Sequence, residues 1–117
     1  MALTVLIVDD HAGFRRSARA RLEADGYVVV GEAVDGASAL TESVRLRPGV
    51  VLLDIQLPDI DGFEVAERLA AGSDPPAVVL ISSRDAEAYG PRIEASRALG
   101  FLPKRRLTGA ALADLMK

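Results

Sequence analysis

Asp9 and Asp10 follow the first apolar run of this chain, Asp54 closes the third, Ser82 ends the fourth, and Lys104 follows the fifth. Three carboxylates gathered at one place repel one another unless protons or a cation compensate. Oxygen donors of that charge suit a hard divalent ion, and Mg2+ typically keeps waters beside one or two carboxylates. With the charge screened, one carboxylate could attack a phosphoryl group and form an acyl phosphate. The Lys104 ammonium and the Ser82 hydroxyl could then hold the phosphoryl oxygens. Singly, each residue has a plainer reading: Asp9 and Asp10 as caps of the next helix, Asp54 as a strand end, Lys104 as a solvated charge. Compatible groups at four of the five strand ends favour a site.

The elements that must position them alternate along the chain. Apolar, β-branched runs at 3–9, 27–31, 50–54, 77–82 and 100–103 are mostly continuous, the pattern of strands covered on both faces of a parallel sheet. Between them, Phe14, Ala18 and Leu22 set one apolar stripe of a helix and leave the neighbouring arginines outward. Ala37, Leu40 and Val44 predict the inward stripe of a second helix, and Phe63, Ala66, Leu69 and Ala70 that of a third. Gly90-Pro91 interrupts the fourth helical stretch, so that helix is expected to begin near Pro91. The last helix should open at Thr108 as N-cap, with Leu107 and Leu112 spaced as a hydrophobic staple. The loop 57–62 is rich in turn formers, and Asp59 and Asp61 are expected to face solvent or to cap the helix that follows. Five βα units with right-handed crossovers imply an α/β, doubly wound sheet, with ligands beyond the carboxyl ends of its strands.

Composition narrows the chemistry further. The 117 residues suit one domain, and 50% hydrophobic against 26% charged residues suit a folded one. There is no cysteine, which removes disulfides and thiolate chemistry, and the single histidine, His11, argues against a multi-histidine zinc site or a Ser-His-Asp triad. A net charge of −3 speaks against nucleic-acid binding by this chain. No apolar run approaches the ~20 residues of a membrane span, and Met1 leads straight into a strand-like run; a cytoplasmic location is expected. The arginines at 15, 16, 19 and 21 read first as a solvated helix face.

These residues resemble the receiver domain of bacterial two-component response regulators. The matching pieces are Val5-Leu6-Ile7-Val8-Asp9-Asp10-His11, the run from Val51 through Asp54 to Gly62, Leu80-Ile81-Ser82-Ser83, and Gly100-Phe101-Leu102-Pro103-Lys104. The resemblance covers essentially the whole chain, 1–117, as a single receiver domain with no output domain in it. It implies a flavodoxin-like, five-stranded parallel sheet of strand order 2-1-3-4-5 with five helices on two faces. It also implies that Asp54 is the phosphoacceptor, served by a sensor histidine kinase or a histidine phosphotransfer domain. Asp10, Asp54 and the backbone carbonyl of Gln56 would ligate Mg2+, or another divalent cation such as Mn2+, and Asp9 would act through a metal-bound water. Ser82 and Lys104 would hold phosphoryl oxygens, while Ser82 and Phe101 would act as switch residues. Phosphorylation would then alter mainly the surfaces 82–98 and 101–115. The first helix of receivers helps dock the phosphodonor, so its arginines could contribute to partner choice.

Several departures and rivals bear on this. Phe101 lacks a tyrosine hydroxyl and can switch only by packing. Pro103 precedes Lys104 and Arg105 follows it, so a cis bond after Lys104 is not to be assumed. A haloacid-dehalogenase-like phosphatase would need an acid two positions after Asp54, where Gln56 stands; no turnover of an external substrate is expected. A flavodoxin-like cofactor binder would need a phosphate loop where Asp9 and Asp10 place negative charge. The remaining alternative is a receiver-fold interaction scaffold that works without phosphorylation. The motifs are similar to those of receivers joined to helix-turn-helix outputs; the chain is expected to be either a stand-alone receiver acting through protein partners or, as the style of the motifs favours, the N-terminal receiver of a longer, DNA-binding regulator. Homodimerisation through the fourth and fifth helices is a further expectation of the resemblance.

Overall fold

A computed structural model describes residues 3–117. Strands β1 (Thr4–Val8), β2 (Val28–Ala33), β3 (Val50–Asp54), β4 (Ala77–Ser82) and β5 (Gly100–Pro103) form one parallel sheet in the order β2-β1-β3-β4-β5. Helices α1 (Ala12–Ala24), α2 (Gly36–Leu46), α3 (Gly62–Ala70), α4 (Arg92–Ala95) and α5 (Gly109–Leu115) alternate with them. This is the expected doubly wound, flavodoxin-like topology, with the strand order reversing between β1 and β3. Two chain ends thus diverge at that crevice, which leaves room for a site.

Alternation along the central strands builds two cores. Leu6, Val8, Val51, Leu53, Val78 and Leu80 face α2 and α3, where they meet Ala39, Phe63, Val65, Ala66 and Leu69. Val5, Ile7, Val50, Leu52, Val79 and Ile81 face the other way, onto Ala18 and Leu22 of α1 and Leu112 of α5. Strands apolar on both faces can lie only in the interior of such a sandwich, which accounts for the continuous apolar runs.

The α1 stripe of Phe14, Ala18 and Leu22 turns inward as expected. Its arginines do not all point away: Arg15 and Arg19 fold onto Glu32 of β2, with Nε–Oε distances of 2.9 and 2.8 Å. In α2 the expected stripe needs correction. Val44 is 79% exposed and Ala37 is exposed; the inner face is Gly36, Ala39 and Ser43, with Leu40 and Leu46 partly covered. The helix rests on small residues so that it can lie close to the sheet, and apolar spacing alone picked the neighbouring row. Strand β2 also runs Val28–Ala33, later than the 27–31 read from the sequence.

Caps define the helix starts. Asp35 accepts from Ser38 N at α2, Asp61 from Phe63 N at α3, and Thr108 from Ala111 N at α5. Leu107 and Leu112 are both fully buried in one core, as the staple spacing requires. The fourth helix starts just after Pro91, as expected, but lasts a single turn; a 3-10 turn, Ala86–Ala88, precedes it. Gly90 makes the connection with φ +56°, a left-handed conformation that disfavours a side chain. All described peptide bonds are trans, including the one after Lys104.

Candidate functional site

Register delivers the candidate residues to one edge. Val8 pairs with Leu53, Asp54 with Ile81, and Ser82 with Pro103, so Asp9, Asp54, Ser82 and Lys104 leave the sheet at nearly the same level. The β3–α3 loop folds tightly over that edge, with Gly62 N donating to Ile55 O at 2.9 Å. A Cβ at Gly62 would stand 2.5 Å from the Asp54 carbonyl oxygen, so the loop closes only around a glycine. Asp59, within the loop, accepts from Gly36 N and Ala37 N at 2.7 and 3.0 Å and so pins the loop to the start of α2. Those amides hold its carboxyl below the usual carboxylate range. Asp59 is exposed, as expected, while also serving the start of α2, and Asp61 caps the helix that follows.

Asp9 and Asp54 are 0% and 1% exposed, and a single ammonium lies between them. Lys104 Nζ is 2.5 Å from Asp9 Oδ2 and 3.3 Å from Asp54 Oδ2. Asp9 Oδ2 has no aligned hydrogen-bond donor, so its compensation is the lysine charge. The other oxygen of Asp54 accepts from Gln56 N at 3.0 Å. Burial pushes the Asp54 carboxyl up and the Asp9 charge adds to this, outweighing the Gln56 amide and Lys104. Burial alone would lower Lys104, but the close contact with Asp9 and the charges of both aspartates raise it. Lys104 Nζ also lies 4.8 Å from the centre of the Phe14 ring.

Asp10 stands at the rim, partly exposed. His11 Nδ1 approaches Asp9 Oδ1 at 3.0 Å and Asp10 Oδ1 at 3.1 Å. Ligand atoms of Asp9, Asp10, His11 and Asp54 lie within 4.8 Å of one another. Gln56 is exposed just past β3, its amide already engaged by Asp54. Ser82 is fully buried beside them, accepting from Arg84 N at 3.0 Å. Phe101 is half-buried against the α3-side core.

Asp9, Asp10 and Asp54 thus converge, Lys104 contacts the first and last of them, and Ser82 ends the adjoining strand. Two participants escaped the sequence reading. Arg15 Nη1 donates to the Asp9 carbonyl at 2.6 Å, visible only once α1 is folded over β1. Tyr89 places its hydroxyl 2.5 Å from Ser82 Oγ, and its irregular surroundings in the chain carry no periodic signal that could have flagged it. Among the described residues no helix is long and apolar enough to cross a membrane.

In sequence and fold the chain is similar to known proteins. A family model described as the response regulator receiver domain matches residues 5–114. The transcriptional regulatory protein LiaR of Bacillus subtilis is 37% identical over 117 residues, covering 98% of this chain and 54% of LiaR. A protein-glutamate methylesterase/protein-glutamine glutaminase of Anaeromyxobacter dehalogenans is 46% identical over 89 residues, covering 74% of this chain and 25% of that protein. This chain therefore spans about half the length of one relative and a quarter of the other. A signal receiver domain from Mycobacterium tuberculosis superposes with a TM-score of 0.87 at 34% identity, covering 98% of this chain and 97% of that one. The chain belongs to the response regulator receiver domain family of bacterial two-component systems.

Proposed function

We propose that Asp54 accepts a phosphoryl group from the phosphohistidine of a sensor histidine kinase or histidine phosphotransfer domain, and that the acyl phosphate switches the surfaces 82–98 and 101–115. The observation that carries this is the buried Asp9–Lys104–Asp54 arrangement at the carboxyl edge of the sheet. The cluster gathers three carboxylates with one ammonium against two of them, so the site holds surplus negative charge, and its donors are oxygens with one imidazole at the rim. That donor set fits a hard divalent cation, Mg2+ or Mn2+, held by Asp10, Asp54 and the Gln56 carbonyl, with Asp9 acting through a bound water. Such an ion supplies charge neutralisation where three anionic groups and a phosphoryl group must meet.

The rest is the work of the chain. The Gln56 amide holds one Asp54 oxygen, which orients the carboxylate. An Asp54 oxygen forms the new bond to phosphorus as the phosphorus–nitrogen bond of the donor breaks, and the electron pair stays on the departing imidazole. Lys104, already 3.3 Å from Asp54, transfers its hydrogen bond to a phosphoryl oxygen, and Ser82 donates to another. Gln56 stands where a general acid would be needed for turnover, and it cannot titrate; the chain loses its own phosphoryl group without acting on an external substrate. A cytoplasmic protein meets the kinase's catalytic part, which is the location this reading requires.

Acetyl phosphate with Mg2+ tests it by intact-mass measurement. One added phosphoryl group, absent from Asp54→Ala, is expected. No adduct in the wild type, or an equal adduct after Asp54→Ala, overturns the reading in favour of a scaffold that works without phosphorylation.

A further inference from the structure

Tyr89 is a side chain at this edge that the reading above leaves unused. Its ring is wedged between Phe63, at 5.9 Å and 66°, and Phe101, at 6.1 Å and 59°. A phenylalanine would fill that wedge as well, since both neighbours are phenylalanines. What tyrosine adds is the hydroxyl, and it lies 2.5 Å from Ser82 Oγ. Ser82 has one proton and two lone pairs, and the Arg84 amide occupies one lone pair. A Ser82 proton given to Tyr89 is withheld from any other acceptor.

The neighbourhood of Tyr89 connects this bond to the surface. Gly90 turns the chain directly after it into α4. From α4, Arg92 lies 4.3 Å over the Phe63 ring and reaches Asp61, the N-cap of α3, at 3.0 Å. A movement of the Tyr89 ring would therefore be felt by α4 and by the start of α3.

We propose that Tyr89 is a positioning residue that couples Ser82 to the segment between β4 and α4: it accepts the Ser82 proton in the phosphate-free state and is released when a phosphoryl oxygen takes that proton. The inference rests on the proposed phosphoacceptor role of Asp54. It locates the hydroxyl that reports on Ser82 in the β4–α4 connection, at a position where Phe101 on β5 offers none. The two states differ in the acceptor of one hydrogen bond, and the phosphoryl group favours the released state because it competes for that bond.

Tyr89→Phe removes the hydroxyl and keeps the wedge. The readouts are the affinity for beryllofluoride with Mg2+, followed by 19F NMR, and hydrogen exchange over 85–95 with and without the ligand. We expect Tyr89→Phe to bind about five-fold tighter, the effect of deleting one competing hydrogen bond. Its free form should already exchange at the rate of the wild-type bound form. In a Ser82→Ala background, Tyr89→Phe should change the exchange no further, whereas a purely packing role would give the same change in both backgrounds. A wild type that binds while Tyr89→Phe matches it in affinity and in exchange overturns this coupling alone. A wild type that does not bind overturns the coupling together with the phosphoacceptor reading.

Discussion

Replacing Lys104 by methionine keeps much of the stem and deletes the one charge that lies between Asp9 and Asp54. Both carboxylates are almost wholly buried, at 2.5 and 3.3 Å from Nζ, so neither can turn to water when the ammonium is gone. Removing one partner of a buried pair costs about 3–5 kcal/mol, because an uncompensated charge remains. Lys104 is itself 14% exposed and the site opens at the Asp10 rim, which places the expected loss near the lower end, about 3 kcal/mol. The pH dependence follows from Asp54. Its carboxyl is raised in the folded protein, so the native state binds the proton more tightly than the unfolded chain and stability falls as pH rises through that range. Without Lys104 the carboxyl rises further, since the lysine is one of the groups holding it down. The deficit of Lys104→Met should therefore be greatest at neutral pH and shrink as the buffer is acidified and Asp54 protonates. Urea unfolding of both proteins in metal-free buffer reads this directly, provided the slope with denaturant is unchanged. A loss below about 1 kcal/mol at neutral pH, or one that does not shrink on acidification, would refute the reasoning.

Other expectations follow from single contacts. Gly62→Ala should destabilise by about 1–3 kcal/mol in a thermal melt, because its Cβ would meet the Asp54 carbonyl oxygen at 2.5 Å and the Ile55 Cα at 2.6 Å, backbone atoms that cannot swing aside. Asp59→Ala should speed exchange of the Gly36 and Ala37 amides at neutral pH. In the wild type the same protection should persist above the ordinary carboxylate pKa and fade as pH falls through the depressed one. Val44→Thr should lie within about 0.5 kcal/mol of wild type by urea unfolding; a larger loss would restore the inward placement that the structure rejects.

The fold was legible because its signals are local and redundant. Runs that are apolar on both faces mark strands with two neighbours, and Thr108 and the Leu107–Leu112 spacing mark the start of α5 within a few residues. The α2 stripe was misread because glycine, alanine and serine can line a close helix–sheet contact, and hydrophobicity does not distinguish them from surface residues. In the fourth helical stretch, Gly90-Pro91 signalled an interruption, but not that a single turn would remain.

By itself the sequence determined the chemistry available: which carboxylates, hydroxyl and ammonium end the strands, and the absence of cysteine and of a second histidine. That follows because residues closing successive parallel strands emerge on one edge whatever the details of packing. Only the tertiary structure decided which groups touch. Lys104 bridges Asp9 and Asp54 across 95 and 50 residues of chain, Asp59 serves α2 across the loop, and Tyr89 meets Ser82 through a turn with no periodic pattern. Side-chain contacts between elements depend on register, helix tilt and the space left by small residues, and these are fixed only when the whole core closes.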